Sequence, residues 1–92
     1  MRIEIGNSAR RHGISDERIR YVVEHCREPL YPPSDDAQTA DFVLFLGPDG
    51  QANLLEVMGA QLADGGVRVF HAMKLRRRHL GIYERANEWH RK

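Results

Sequence analysis

The sequence contains a single cysteine, Cys26, among 92 residues. One thiol excludes a disulfide framework and any zinc site built from several thiolates. Cys26 falls on the apolar side of a predicted helix, where a lone thiol is a small buried group rather than a reactive one. Long apolar runs are also missing: no stretch approaches the roughly 18–20 residues that span a bilayer. The N-terminal run Met1-Arg2-Ile3-Glu4-Ile5 lacks the apolar segment of a secretion signal. These absences lead to the expectation of a cytoplasmic protein that makes no use of a membrane. Familiar catalytic signatures are absent as well, including G-x-S-x-G, the phosphate-binding P-loop and H-E-x-x-H. Among the five histidines, His12, His25, His71, His79 and His90, no pair stands three to five residues apart. Neither a metal nor a cofactor is therefore expected.

What is present is a split in charge. Residues 1–66 carry six arginines against eleven acids, a net of −5, whereas residues 67–92 carry eight lysines and arginines against two acids, a net of +6. A basic end on a nearly neutral chain points to a surface for a polyanion. The length fits one domain over residues 1–92. A chain of this size buries only about 60–65% of its unfolded surface, so its core is small.

The pattern of apolar and turn residues predicts an α+β fold. Met1–Ile5 alternates enough for a short extra N-terminal strand. Asn7 and Ser8 can cap a brief helix that Gly13 ends. Ser15 is a good N-cap for a helix over residues 16–26, with Asp16 and Glu17 at its positive end. Ile19, Val22, Val23 and Cys26 recur at helical spacing and form its apolar face. Pro29 stops this helix, and a loop rich in proline and acid follows to residue 41. Residues 42–46, 53–61 and 67–73 read as three strands. Two tight turns, Pro48-Asp49-Gly50 and Asp64-Gly65-Gly66, join them into an antiparallel meander. The uninterrupted apolar run Phe42–Leu46 suggests a central strand covered on both faces. Lys74–Lys92 completes the chain as a basic helix, with Leu75, Ile82 and Trp89 on one stripe.

The residues that can carry chemistry lie where the last strand meets this helix: Arg68, His71, Lys74, Arg76, Arg77, Arg78, His79 and Tyr83. On a regular strand Arg68 and His71 point to opposite faces. On a helix Arg76 and Tyr83 share a face, as do Lys74 and Arg78. Arginine matches phosphate oxygens with a planar fork and lysine adds a point charge. Tyrosine can stack on an unpaired base. Each exposed arginine taken alone would be only a solvated side chain. The cluster, nearly free of acids, is what points to nucleic acid.

Three segments carry a resemblance. Arg11-His12-Gly13-Ile14-Ser15 resembles the K-H-G-[VI]-[ST] start of the main helix in the BrnT-type toxins of bacterial toxin–antitoxin pairs. Leu54-Leu55-Glu56-Val57, the Gly65-Gly66 turn and Val67-Arg68-Val69-Phe70 resemble the core strands of that family. His71-Ala72-Met73-Lys74 leading to Tyr83-Glu84 is similar to its I-S-A-R…E-x-x-x-Y ending. Together they span about two thirds of the chain, and the order of elements is similar to that family's broader RelE-like fold. The family's F-x-W-D and K-A-x-x-N elements are missing, and Met73-Lys74 stands where it has a strand-end arginine. Activity is then either lost or supported by Lys74 instead.

The resemblance implies a metal-independent ribonuclease in which the RNA 2′-hydroxyl attacks the adjoining phosphate. Arg68, with Arg76 or Arg77, would hold the phosphate, and Arg78 and Lys74 would add to the RNA-binding surface. Lys74 or His71 would act as base or acid, and Tyr83 would stack or orient. The partners implied are RNA and a cognate antitoxin, with self-association as a further option. A second reading, from a different class, is a small non-catalytic module that pairs with a protein partner.

Overall fold

The computed structural model describes the backbone of residues 1–90 and the side chains of residues 1–85. The elements run β1 (Ile3–Ile5), a 3₁₀ turn (Asn7–Arg10), α1 (Asp16–His25), β2 (Phe42–Pro48), β3 (Leu54–Gln61), β4 (Val67–Lys74) and α2 (Arg77–His90). None of these helices, among the described residues, is long and apolar enough to cross a membrane.

α1 forms where its end signals place it. The Ser15 hydroxyl accepts from the Arg18 amide at 3.3 Å, and Asp16 and Glu17 occupy the first turn. Ile19, Val22 and Val23 are buried against the sheet with Val43, Phe45, Leu55, Val57, Val67, Val69 and Ala72, and Ile3 and Ala9 complete this core. Cys26 caps the C-terminal end and is half-buried beside that core.

β2, β3 and β4 form the antiparallel meander, in sequential order, with both turns in the expected places. The sheet has a fourth member. β1 pairs in parallel with β4, Ile3 opposite Val67 and Ile5 opposite Val69, so the order is β1-β4-β3-β2. β2 is consequently an outer strand and not a central one, although Val43, Leu44, Phe45 and Leu46 are all buried. Its free edge is partly covered by Leu30, whose backbone exchanges two hydrogen bonds with Leu44 (2.9 and 2.7 Å).

One irregularity changes which side chains meet. Met58 lies opposite His71 but Gly59 lies opposite Val69, so Phe70 is an extra residue on β4. Such a bulge shifts the alternation of the strand by one. Val67 and Val69 before it, and Ala72 after it, all face α1. Arg68 (opposite Ala60) and His71 (opposite Met58) therefore share the other face, which corrects the expectation that they diverge. Only glycine fits opposite the bulge: a Cβ on Gly59 would stand 2.6 Å from the Arg68 carbonyl oxygen.

The last helix starts later than Lys74. β4 continues through Lys74, opposite Leu55, and the Leu75 amide still donates to the Leu54 carbonyl at 2.9 Å. Lys74 and Arg76 lie before the helix, so the helical faces expected for Lys74 with Arg78 and for Arg76 with Tyr83 do not form. Trp89, expected on the apolar stripe with Leu75 and Ile82, lies outside the described side chains.

Candidate functional site

β3 places an acid in the middle of an apolar strand. Glu56 sits between Leu55 and Val57, and its side chain is 1% exposed. Leu55 and Val57 face α1, so Glu56 faces the opposite side, toward the junction of β4 and α2. A buried carboxylate is tolerated only when its oxygens are satisfied. Oε1 accepts from the Arg76 backbone amide at 2.9 Å and from His79 Nδ1 at 2.9 Å. Oε2 accepts from His71 Nε2 at 3.0 Å and from Arg76 Nη2 at 2.6 Å. Arg76 Nε spans both oxygens at 3.1 and 3.0 Å. Burial alone would raise the pKa of this carboxyl. The Arg76 side chain, then its backbone amide, then His79 and His71 override that effect and hold it well below the usual carboxylate range.

The chain supplies these donors through three local devices. The bulge turns His71 onto the Glu56 side. The end of β4 brings Arg76 past the same point. The first turn of α2 then returns His79, whose amide donates to the Arg76 carbonyl at 2.9 Å. The acid is enclosed but its partners are not: the side chains of His71, His79 and Arg76 are 25%, 14% and 39% exposed. Donation to Glu56 fixes the proton of His71 on Nε2 and that of His79 on Nδ1. The second nitrogen of each ring has no hydrogen-bond partner among the described residues. His12 stands edge-on to His71, ring centroids 6.0 Å apart.

Of the residues expected at the site, His71 and Arg76 join this cluster. Arg68 shares their face but pairs with Glu4 at 3.1 Å, on a largely exposed edge. Lys74, opposite the buried Leu55, projects from the α1 side of the sheet. There it lines a cavity of about 370 Å³ with Ile14, Arg18 and Asn53. Arg77 and Arg78 are exposed on the first turn of α2. Tyr83 lies one turn beyond His79, beside Leu46 and Cys26. Glu56 was given no role by sequence reasoning, and His79 was named in the basic cluster without a role of its own. The available signal was an acid inside the run Leu54-Leu55-Glu56-Val57-Met58, which must find donors if the strand is buried.

A second buried acid has a different setting. Asp49 accepts from Arg18 Nε at 2.6 Å, from the amides of Gln51 (2.8 Å) and Asn53 (3.2 Å), and from Asn53 Nδ2 (3.2 Å). Burial raises its pKa, but these donors outweigh it and hold the carboxyl at about 2. Its partners close the β2–β3 turn and tie it to α1, which is a structural task. Among the described residues no group of three or more His, Cys, Asp or Glu side chains is disposed to hold a metal ion. Neither a family model, nor a curated protein, nor a solved structure matches the chain.

Proposed function

We propose that this chain is a metal-independent ribonuclease, acting as the toxin of a toxin–antitoxin pair of the RelE/BrnT kind, with the Glu56 cluster as its reactive centre. The observation that supports this reading is the pairing of two partly exposed imidazoles and a guanidinium on one enclosed carboxylate, at the head of a basic helix. Transesterification of RNA needs a base for the 2′-hydroxyl, an acid for the leaving 5′-oxygen and positive charge for the phosphoryl oxygens. Histidine titrates near neutral pH and serves either proton role. One of His71 and His79 takes the 2′-hydroxyl proton through its outward nitrogen as the 2′-oxygen bonds to phosphorus. The other gives a proton to the 5′-oxygen as the P–O5′ bond breaks. The products are a 2′,3′-cyclic phosphate and a 5′-hydroxyl. Arg76 Nη1, turned away from Glu56, faces the developing charge, with Arg77 and Arg78 beside it. Glu56 is a positioning residue that orients both rings and steadies whichever is protonated.

Purified protein incubated with single-stranded RNA in EDTA tests this. Cleavage that leaves cyclic phosphate ends and falls about 10²–10⁴-fold in His71→Ala and in His79→Ala supports it. Lys74→Ala, on the other side of the sheet, leaves the rate within about threefold. Expression in a bacterial host arrests growth only while both histidines are present. Intact RNA and unimpaired growth with the unsubstituted protein would favour the protein-binding module, with Glu56 serving to pin α2 to the sheet.

A further inference from the structure

Next to the Glu56 cluster lies a cavity of about 440 Å³, open to solvent, between the C-terminal end of α1, the end of β2 and the second turn of α2. Two links join it to the cluster. Leu46 in its lining is directly opposite Glu56 across the β2–β3 ladder. Tyr83 in its wall follows His79 by four residues on α2 and so sits one turn along the same helix face. Neighbours of both kinds lie about 5–6 Å apart, roughly the reach from a backbone phosphate to the base beside it. The cavity lining is apolar at Val22 and Leu46 and carries His25 and the exposed Arg27.

We infer that this cavity receives one unpaired nucleobase of the RNA strand whose phosphate lies at the Glu56 cluster; the assignment rests on the ribonuclease reading above. A base needs a flat apolar slot, an aromatic or guanidinium plane to stack on, and polar groups at the edge. The lining supplies apolar, aromatic and guanidinium groups of these kinds. The His25 ring is stacked on Tyr21, with centroids 3.9 Å apart and planes 15° apart, and its Nδ1 is tied to the Tyr21 carbonyl at 2.9 Å. A base stacking there extends a stack that is already ordered, so little conformational freedom is lost on binding. Tyr83 offers a second ring and Arg27 a planar cation. The Cys26 thiol in the wall donates to the Leu46 carbonyl at 3.7 Å, and burial raises its pKa, so it stays neutral and adds apolar surface. Base entry at this point makes the centre selective for single strands, because a base held in a duplex cannot enter.

Gly47 makes the idea testable. It lies on the lining, its φ is not positive, and a Cβ there meets nothing within 4 Å. Gly47→Val suits the strand and fills the slot without touching Glu56. The full chain, labelled for NMR at methyl and imidazole positions, is titrated with inorganic phosphate, the four nucleosides and the four nucleoside 3′-monophosphates. Nucleosides are expected to shift the Val22 and Leu46 methyls and His25. Phosphate is expected to shift His71 and His79, and 3′-monophosphates both sets. Gly47→Val weakens 3′-monophosphate binding roughly tenfold or more while leaving the phosphate response unchanged. Gly47→Ala gives a smaller loss and serves if valine disturbs folding. Nucleosides and 3′-monophosphates that leave Val22 and Leu46 unmoved, or bind equally tightly to both glycine variants, overturn the inference. Nucleosides that move the methyls while phosphate leaves His71 and His79 unmoved would sustain the base slot and overturn the ribonuclease reading instead.

Discussion

Replacing Glu56 by glutamine removes one charge and almost no volume, yet five donor groups, making six contacts, lose their anionic acceptor. The enclosed carboxylate loses its charge-assisted hydrogen bonds while the partly exposed Arg76 can turn to water, so Glu56→Gln is expected to cost about 1.5–3 kcal/mol in urea unfolding. The same carboxylate sets an acid limit. Because its folded pKa lies below its ordinary value of 4.5, its stabilising contribution is complete above that value and is lost as the pH falls. Asp49, held at about 2, acts in the same sense. The melting temperature of the unsubstituted protein should therefore drop between pH 5 and pH 3, and more steeply than that of Glu56→Gln. Equal slopes for the two proteins would refute the role of Glu56. None of this was legible one residue at a time. Leu55, Glu56 and Val57 announce a strand with an acid in it, but the donors come from residues 15, 20 and 23 positions later.

At the scale of elements, legibility follows distance along the chain. The cap at Ser15, the stripe Ile19-Val22-Val23 and the turns at Gly50 and Gly65, both with positive φ, are local devices and read correctly. The parallel pairing of β1 with β4 joins residues 64 apart, such as Ile3 and Val67, and no local signal specifies it. The bulge at Phe70 is equally hidden, since it exists only as a mismatch in register between two strands. It alone moves His71 to the Arg68 side. Two glycine variants separate these levels. Gly59→Ala drives a Cβ against the Arg68 carbonyl beside the bulge and should destabilise the fold by about 1–3 kcal/mol. Gly81→Ala, on an exposed face of α2 with nothing within 4 Å, should stabilise that helix by up to about 1 kcal/mol. Thermal melts of both variants check the opposite signs.

For the whole molecule, the charge split was legible from composition, but the deployment of the charges was not. Arg68 is matched by Glu4, Arg76 by Glu56, and Lys74 lies on the α1 side. The positive surface near the cluster therefore centres on Arg77 and Arg78. RNA affinity should fall steeply with salt, and Arg77→Ala or Arg78→Ala should each lower the slope of log K against log salt by about 0.7. Neither change should alter sequence preference. A salt-independent affinity would remove RNA as the polyanion.

The position of β1 has a consequence for synthesis. β1 leaves the ribosome well ahead of β4, and the two cannot pair until residues 67–69 have emerged. Long-range closures of this kind are slow and come late. The donors for Glu56 are made later still, at residues 71, 76 and 79. While it is being translated, the nascent chain thus holds an acid without its partners and a sheet without its edge. The Glu56 cluster is complete only once residue 79 has emerged, and a chain cut short before His79 lacks one of its donors.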